Sequence, residues 1–212
     1  FSSRSIVVYL SIAHTNHPAF EIGRSTMTGT KIMPADAMKL LQLIDASRDE
    51  LIKTTSSFVR IPSETPPSDT QAMAEMVAGI LAPLAHVATN IHISEPPIAN
   101  IVGIVRAETP GKRLIFNGHL DTYPIGDPAS WQENPFSGAV RDGKLFGRGS
   151  GDMKGGIAGA LVAFKILAQH RYAWAGELTL ALAGDEESMG RLGTQYLIDT
   201  VPEACGDAML CA

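Results

Sequence analysis

The segment Leu178-Thr-Leu-Ala-Leu-Ala183 constrains the fold more than any other stretch of this chain. It is apolar on both alternating faces, is bounded by Gly176 and Gly184, and runs directly into Asp185-Glu186-Glu187. A short apolar run between breakers suits a central strand, and a strand apolar on both faces must be covered on both. Helical segments flank it in sequence. Ile157 to Gln169 is apolar nearly all round, which predicts a buried helix, and Gly190 to Thr200 predicts another. Upstream, Met38, Leu41, Ile44, Leu51, Ile52, Phe58 and Val59 recur at roughly three and four from Pro34 onward. Ile61-Pro-Ser-Glu-Thr-Pro-Pro67 ends that element, because a residue before proline is pushed out of the α region. A further helix is expected over about Thr70 to Ala82. Short β-branched or apolar runs predict strands at Asn90–Ser94, Ile98–Val105, Leu114–Phe116 and from Ala208 to Ala212. Ala139 to Phe146 reads as a hairpin turning on Asp142-Gly143. Strands alternating with helices give an α/β class: a mixed, mostly parallel sheet flanked by helices.

Composition narrows the function. The 212 residues are 45% hydrophobic and 18% charged, as in soluble globular proteins. With 17 basic against 22 acidic side chains, the net charge of −5 leaves no basic footprint for nucleic acid. No apolar run approaches ~18 residues, so no membrane span is expected. Cys205 and Cys211 are too few for a disulfide framework and too far apart for a C-x2-C metal pair, so both are expected to be small buried residues. Residues 1–33 carry Asn16, Pro18, Gly23 and Gly29 without a sustained period, and are expected to form a poorly ordered extension. Within them Ile6 to Ala13 follows one arginine, a weak match to a secretory signal; a cytoplasmic location is the default. Residue 1 is Phe, and Met27 and Met33 are alternative starts.

Three clusters at the ends of expected strands carry the polar chemistry, where open α/β sheets place their ligands. The first is Phe116-Asn-Gly-His119-Leu-Asp121. Two residues apart on an extended chain, His119 and Asp121 point the same way, and a metal-bound histidine usually donates its other ring N–H to a carboxylate. A surface histidine beside a strand-ending aspartate is the plainer alternative. The second, Gly147-Arg-Gly-Ser-Gly-Asp152-Met-Lys-Gly-Gly156, opens the buried helix and fits neither phosphate-loop pattern. Asp152 is either held there for chemistry or caps the helix. The third is the acid run Asp185-Glu186-Glu187, either a solvated turn or a set whose repulsion raises at least one pKa unless cations offset it. Adjacent glutamates also suit a division between metal binding and general acid/base work. Jointly His119, Asp152 and Glu187 make a hard-to-borderline donor set for Zn²⁺ or a similar ion. No G-x-S-x-G elbow supports a serine nucleophile.

Gly118-His119-Leu-Asp121-Thr-Tyr-Pro124, the segment Trp131–Phe136, Gly147 to Gly156 and Gly184-Asp-Glu186-Glu187 together resemble the motifs of the M20 metallopeptidases and amidohydrolases. The resemblance runs from about Asp45 to Ala212. It implies a zinc-peptidase-like catalytic domain, with 34–212 as its N-terminal part and the lid (dimerisation) domain outside the chain. His119 would bind one metal ion, Asp121 would orient it, Asp152 would bridge two ions, Glu187 would complete the His119 site, and Glu186 would be the general base. Two Zn²⁺ ions are implied, with Co²⁺ or Mn²⁺ as substitutes. A second-metal acid is expected at or just past Ala212, so the chain reads as truncated and inactive alone. His14, His17, His86, His92 and His170 match no family position. The implied substrate is an N-acyl amino acid of the deacetylase or desuccinylase kind, or a short peptide, and the full-length protein would pair through its lid. A dipeptidase or carboxypeptidase of the family, or a non-catalytic metal-binding remnant, are the alternatives.

Overall fold

The computed structural model describes residues 35–212. The extension expected over residues 1–33, with its apolar stretch, His14 and His17, lies outside them. The period that begins near Pro34 resolves into two helices, α1 (Ala35–Ala46) and α2 (Arg48–Val59). Ser47 separates them, its hydroxyl turned back onto the Leu43 carbonyl at 2.7 Å, a local bond that competes with continued helix. Next come α3 (Gln71–Leu81), β1 (Val87–Glu95), β2 (Ile98–Arg106) and β3 (Thr109–His119). The hairpin of β4 (Ala139–Arg141) and β5 (Lys144–Phe146) turns on Asp142 and Gly143, whose φ values of 50° and 73° are those of a type I′ turn. Then follow α4 (Gly155–Gln169), β6 (Ala175–Ala183), α5 (Tyr196–Thr200) and β7 (Ala208–Cys211). The helix expected from Gly190 is shorter, because Gly193 at φ −100°, ψ −105° interrupts it and leaves a wide turn over Arg191–Gln195.

The main sheet has the order β1-β2-β6-β3-β7, which makes β6 the central strand. The sheet is mixed: β3 runs parallel to both β6 and β7, while β1–β2 and β2–β6 are antiparallel. One face carries Ile101, Val105, Phe116, Leu180 and Leu182 under Phe58, Met73, Val77, Leu81, Leu161 and Phe164 of the helices. The other carries Val102, Ile104, Ile115 and Ala181 beneath Leu197, Val201 and Ala204. β6 is therefore covered on both sides, and burying each leucine or phenylalanine contributes about 1.5–3 kcal/mol. Cys205 and Cys211 are exposed rather than buried. The strand order puts β7 at a sheet edge, and Cys205 lies in the turn leading to it, so neither thiol is enclosed. Among the described residues no helix is long and apolar enough to cross a membrane.

Candidate metal centre

Parallel pairing of β3 with β6 aligns His119 with Ala183 and so brings the ends of both strands to one rim of the sheet. Leu120 N–H bonds the Ala183 carbonyl at 2.7 Å, which holds the residues after β3 against those after β6. The third component comes from the loop before α4. Gly149 takes φ +76°, and a Cβ there would lie 2.5 Å from Thr122 Cγ2, so only glycine lets this loop approach β3 so closely. Met153 tucks beneath, its sulfur 3.2 Å from the His119 amide nitrogen.

His119, Asp152 and Glu187 converge there. Each offers a ligand atom, and these atoms lie within 4.8 Å of one another; among the described residues this is the one such group of His, Cys, Asp and Glu side chains. His119 Nε2 is 3.1 Å from Asp152 Oδ1 and 3.8 Å from Glu186 Oε2. Asp152 does not cap α4, whose first turn has no side-chain cap. Asp185 turns inward: buried, it accepts from Ser188 and from the Leu192 N–H at 2.9 Å, leaving Glu186 and Glu187 to face the site. Glu187 Oε1 accepts the Tyr123 N–H at 3.0 Å, which fixes one of its oxygens. One nitrogen and two carboxylates fit a divalent ion of the zinc class.

Asp121 lies behind the histidine and is wholly buried. His119 Nδ1 sits 2.9 Å from the Asp121 carbonyl and 3.3 Å from its Oδ1, so both the main chain and the carboxylate orient the ring. The Asp121 carboxylate also accepts the Glu186 and Glu187 N–H groups at 3.0 Å on Oδ2, and the Thr65 hydroxyl at 2.9 Å. Burial pulls the His119 pKa down, but the hydrogen bond and charge of Asp121 outweigh it and raise it to about 9. Burial raises Asp121, yet its bonds to His119, the Glu187 amide, Thr65 and the Glu186 amide bring it below the usual range. Glu187 is raised, first by burial and then, against the opposing charge of His119, by the charges of Asp152 and Asp121 rather than by its neighbours Asp185 and Glu186.

Two supporting residues escaped the sequence reading. Lys154 is fully buried and donates Nζ to the Ile61 carbonyl at 2.6 Å; burial lowers its pKa to about 8 against the opposing charge of Glu64. Thr65 lies in a proline-rich turn more than fifty positions from Asp121, and nothing in its local sequence signals the contact. Among the described residues, the other three histidines stay clear of the centre. His86 is exposed, His92 is half-buried in β1, and His170 bonds the Ile166 carbonyl at 2.8 Å.

Residues 115–210 match the model of peptidase family M20/M25/M40. The chain is 33% identical over 154 residues to succinyl-diaminopimelate desuccinylase of Rhodospirillum centenum, covering 72% of this chain and 39% of that protein. It is 36% identical over 151 residues to the enzyme of the same name from Bradyrhizobium sp. strain ORS 278, covering 70% and 39%. The chain thus spans about two fifths of the length of the curated relatives it matches. Among solved structures, human carnosine dipeptidase 1 superposes with a TM-score of 0.67 at 22% identity, covering 84% of this chain and 41% of that one. An M20 family metallo-carboxypeptidase from Sulfolobus solfataricus gives 0.62 at 20% identity, covering 76% and 37%. The mixed sheet and its flanking helices are those of the catalytic domain in these neighbours. By the family-model match and the identity to these relatives, the chain belongs to the M20 family of metallopeptidases and amidohydrolases.

Proposed function

We propose that the chain carries the metal-binding core of a hydrolase that cleaves the amide bond of an N-acyl amino acid, of the desuccinylase or deacetylase kind. The convergence of His119, Asp152 and Glu187 on one rim carries this reading. The relatives named succinyl-diaminopimelate desuccinylase support the acyl class. A Zn²⁺ ion held by these three residues, with Co²⁺ or Mn²⁺ as substitute, would polarise an acyl carbonyl and acidify a water. Asp152, whose side chain is 79% exposed, has room to share a second ion.

The chain's own groups divide the remaining work. Asp121 holds the imidazole so that Nε2 faces the acids. Tyr123 N–H steers Glu187 toward the same point. Glu186, with its backbone held by Asp121 and its side chain open to solvent, takes a proton from water and delivers it to the departing amine. Dipeptide or carboxypeptidase substrates would use the same groups on a different acyl partner.

Calorimetric Zn²⁺ titration of the chain, with a substrate panel on the full-length protein, tests the assignment. His119→Ala, Asp152→Ala and Glu187→Ala should each weaken uptake about 100-fold or more. Glu186→Gln should keep uptake near the wild-type level while lowering hydrolysis about 10²–10⁴-fold. Unchanged uptake in the three ligand variants would remove the metal assignment. Cleavage of dipeptides in preference to N-succinyl and N-acetyl amino acids would replace the acyl class, and tight uptake without any hydrolysis would leave a metal-binding protein.

A further inference from the structure

The segment between α2 and α3 lies outside the residues matched to the family model, yet it is held beside the chain that follows β3 by an isolated parallel bridge between Glu64 and Thr122. Ser63 Oγ donates to the Leu120 carbonyl at 2.7 Å, Thr122 N–H donates to the Ser63 carbonyl at 2.9 Å, and Thr65 N–H donates to the Thr122 carbonyl at 2.9 Å. Glu64 Oε1 accepts the Ile125 N–H at 2.7 Å. On the other flank, Lys154 ties the Ile61 carbonyl to the loop that carries Asp152. The segment is therefore bonded to two of the three strands of chain that build the metal centre.

Its side-chain bond to a carboxylate of the centre is made by Thr65. This residue is 7% exposed, and its Oγ1 lies 2.9 Å from Asp121 Oδ2 and 2.8 Å from Ser68 Oγ, itself 4% exposed. An ionised carboxylate only accepts, so the single Thr65 proton goes to Asp121, and Ser68 must then donate to Thr65. The result is a directed chain, Ser68 to Thr65 to Asp121, whose bonds polarise one another. Asp121 Oδ2 also receives the amides of Glu186 and Glu187, so whatever fixes this oxygen fixes the backbone of both acids as well as the His119 ring.

We propose that Thr65, backed by Ser68, is a positioning residue for the metal centre: it locks the Asp121 carboxylate, through which His119, Glu186 and Glu187 are set for metal binding. This deepens the metal reading above and rests on it. The supporting bonds around a metal ligand typically govern affinity 10- to 100-fold, which sets the scale of the effect.

The test compares Thr65→Val, which keeps the shape and removes the hydroxyl, with Thr65→Ser, which restores it. Two readouts are needed: Co²⁺ affinity with its visible absorption spectrum, and amide hydrogen exchange at Glu186 and Glu187 in the metal-free chain. Thr65→Val should lower Co²⁺ affinity about 10-fold or more and alter the spectrum, while Thr65→Ser stays within about 3-fold of wild type. Exchange at the two glutamate amides should quicken roughly 10-fold in Thr65→Val while that at Leu180 in β6 does not change. Equal affinity and exchange in Thr65→Val and wild type would overturn the proposal, as would a loss that Thr65→Ser fails to repair. Should Thr65→Val not fold, Ser68→Ala decides: weaker Co²⁺ binding by about 2- to 3-fold supports the clamp, and unchanged binding overturns it. If the wild-type chain took up no Co²⁺, the metal reading would fall, and the exchange comparison would still decide the clamp.

Discussion

At the end of β3, Asp121 is wholly buried and its carboxylate is met by a hydroxyl, two backbone amides and an imidazole. Across the same site, Asp152 and Glu186 hold carboxylates that are 79% and 54% exposed. The first side is preorganised, with its polar atoms satisfied by the fold itself. The second keeps negative charge close together, with His119 as its nearest cationic partner. Under the metal reading proposed above, such a division would hold the histidine in place for an ion while the exposed acids could adjust to it. A buried carboxylate with several donors specifies geometry; an exposed one supplies charge.

The largest expected effect falls on the buried side. Asp121→Ala leaves two amides and a hydroxyl without their acceptor in a closed environment and the His119 ring with only the main-chain carbonyl of residue 121, and should lower the stability of the metal-free chain by about 3 kcal/mol in urea unfolding. A change under about 1 kcal/mol would mean that the fold does not depend on this carboxylate, and the contrast between the two sides would collapse.

A second measurement joins the sides through pH. With its pKa raised from 6.5 to about 9, His119 is protonated in the metal-free chain at neutral pH, and Nε2–H faces Asp152. The stability this adds is fully present below pH 6.5 and is lost as pH rises through about 9. A metal ion needs the neutral ring, so uptake at pH 7 should release about one proton from His119, and affinity should rise roughly tenfold per pH unit before levelling above pH 9. Calorimetry in buffers of different ionisation enthalpy counts that proton. Zero release at pH 7 would show that Asp121 does not hold the ring charged.

The smallest effect belongs to the exposed side. Glu187→Gln removes one of the crowded charges while keeping an oxygen for the Tyr123 N–H. The metal-free chain should gain roughly 0.5 kcal/mol, since partly solvated charges interact weakly, even as metal affinity is lost. Destabilisation instead would mean that the attraction of His119 outweighs the repulsion from Asp152 and Asp121.

Much of the fold was legible because its signals are local. The apolar run at Leu178–Ala183, the Asp142-Gly143 turn and the near-uniform apolarity of α4 each describe one element, and each element forms where expected. The break at Ser47 and the shortened α5 were not legible, because a single side-chain bond or one glycine dihedral decided them. At the site, the residues that face the metal group stood out by type and position. Their supports did not: Asp185 looked like a third crowded acid until its bonds to Ser188 and the Leu192 amide showed it turned away. The exposure of the two cysteines is not written in composition, because burial depends on strand order.

Local signals in the chain carry the class of fold and the chemical inventory: an apolar central strand, a glycine-rich loop before a buried helix, and a histidine and acids at element ends. Those follow from periodicity and side-chain chemistry, which act over a few residues. The packing of whole elements sets β3 and β6 parallel in a register that puts His119 beside Ala183, so that ligand atoms from the end of β3, the loop before α4 and the loop after β6 lie within 4.8 Å of one another. It alone brought Thr65 from a distant turn to the Asp121 carboxylate. Contacts of that range are set by how whole elements pack, and a buried carboxylate takes its donors from whatever part of the chain the packing brings within reach.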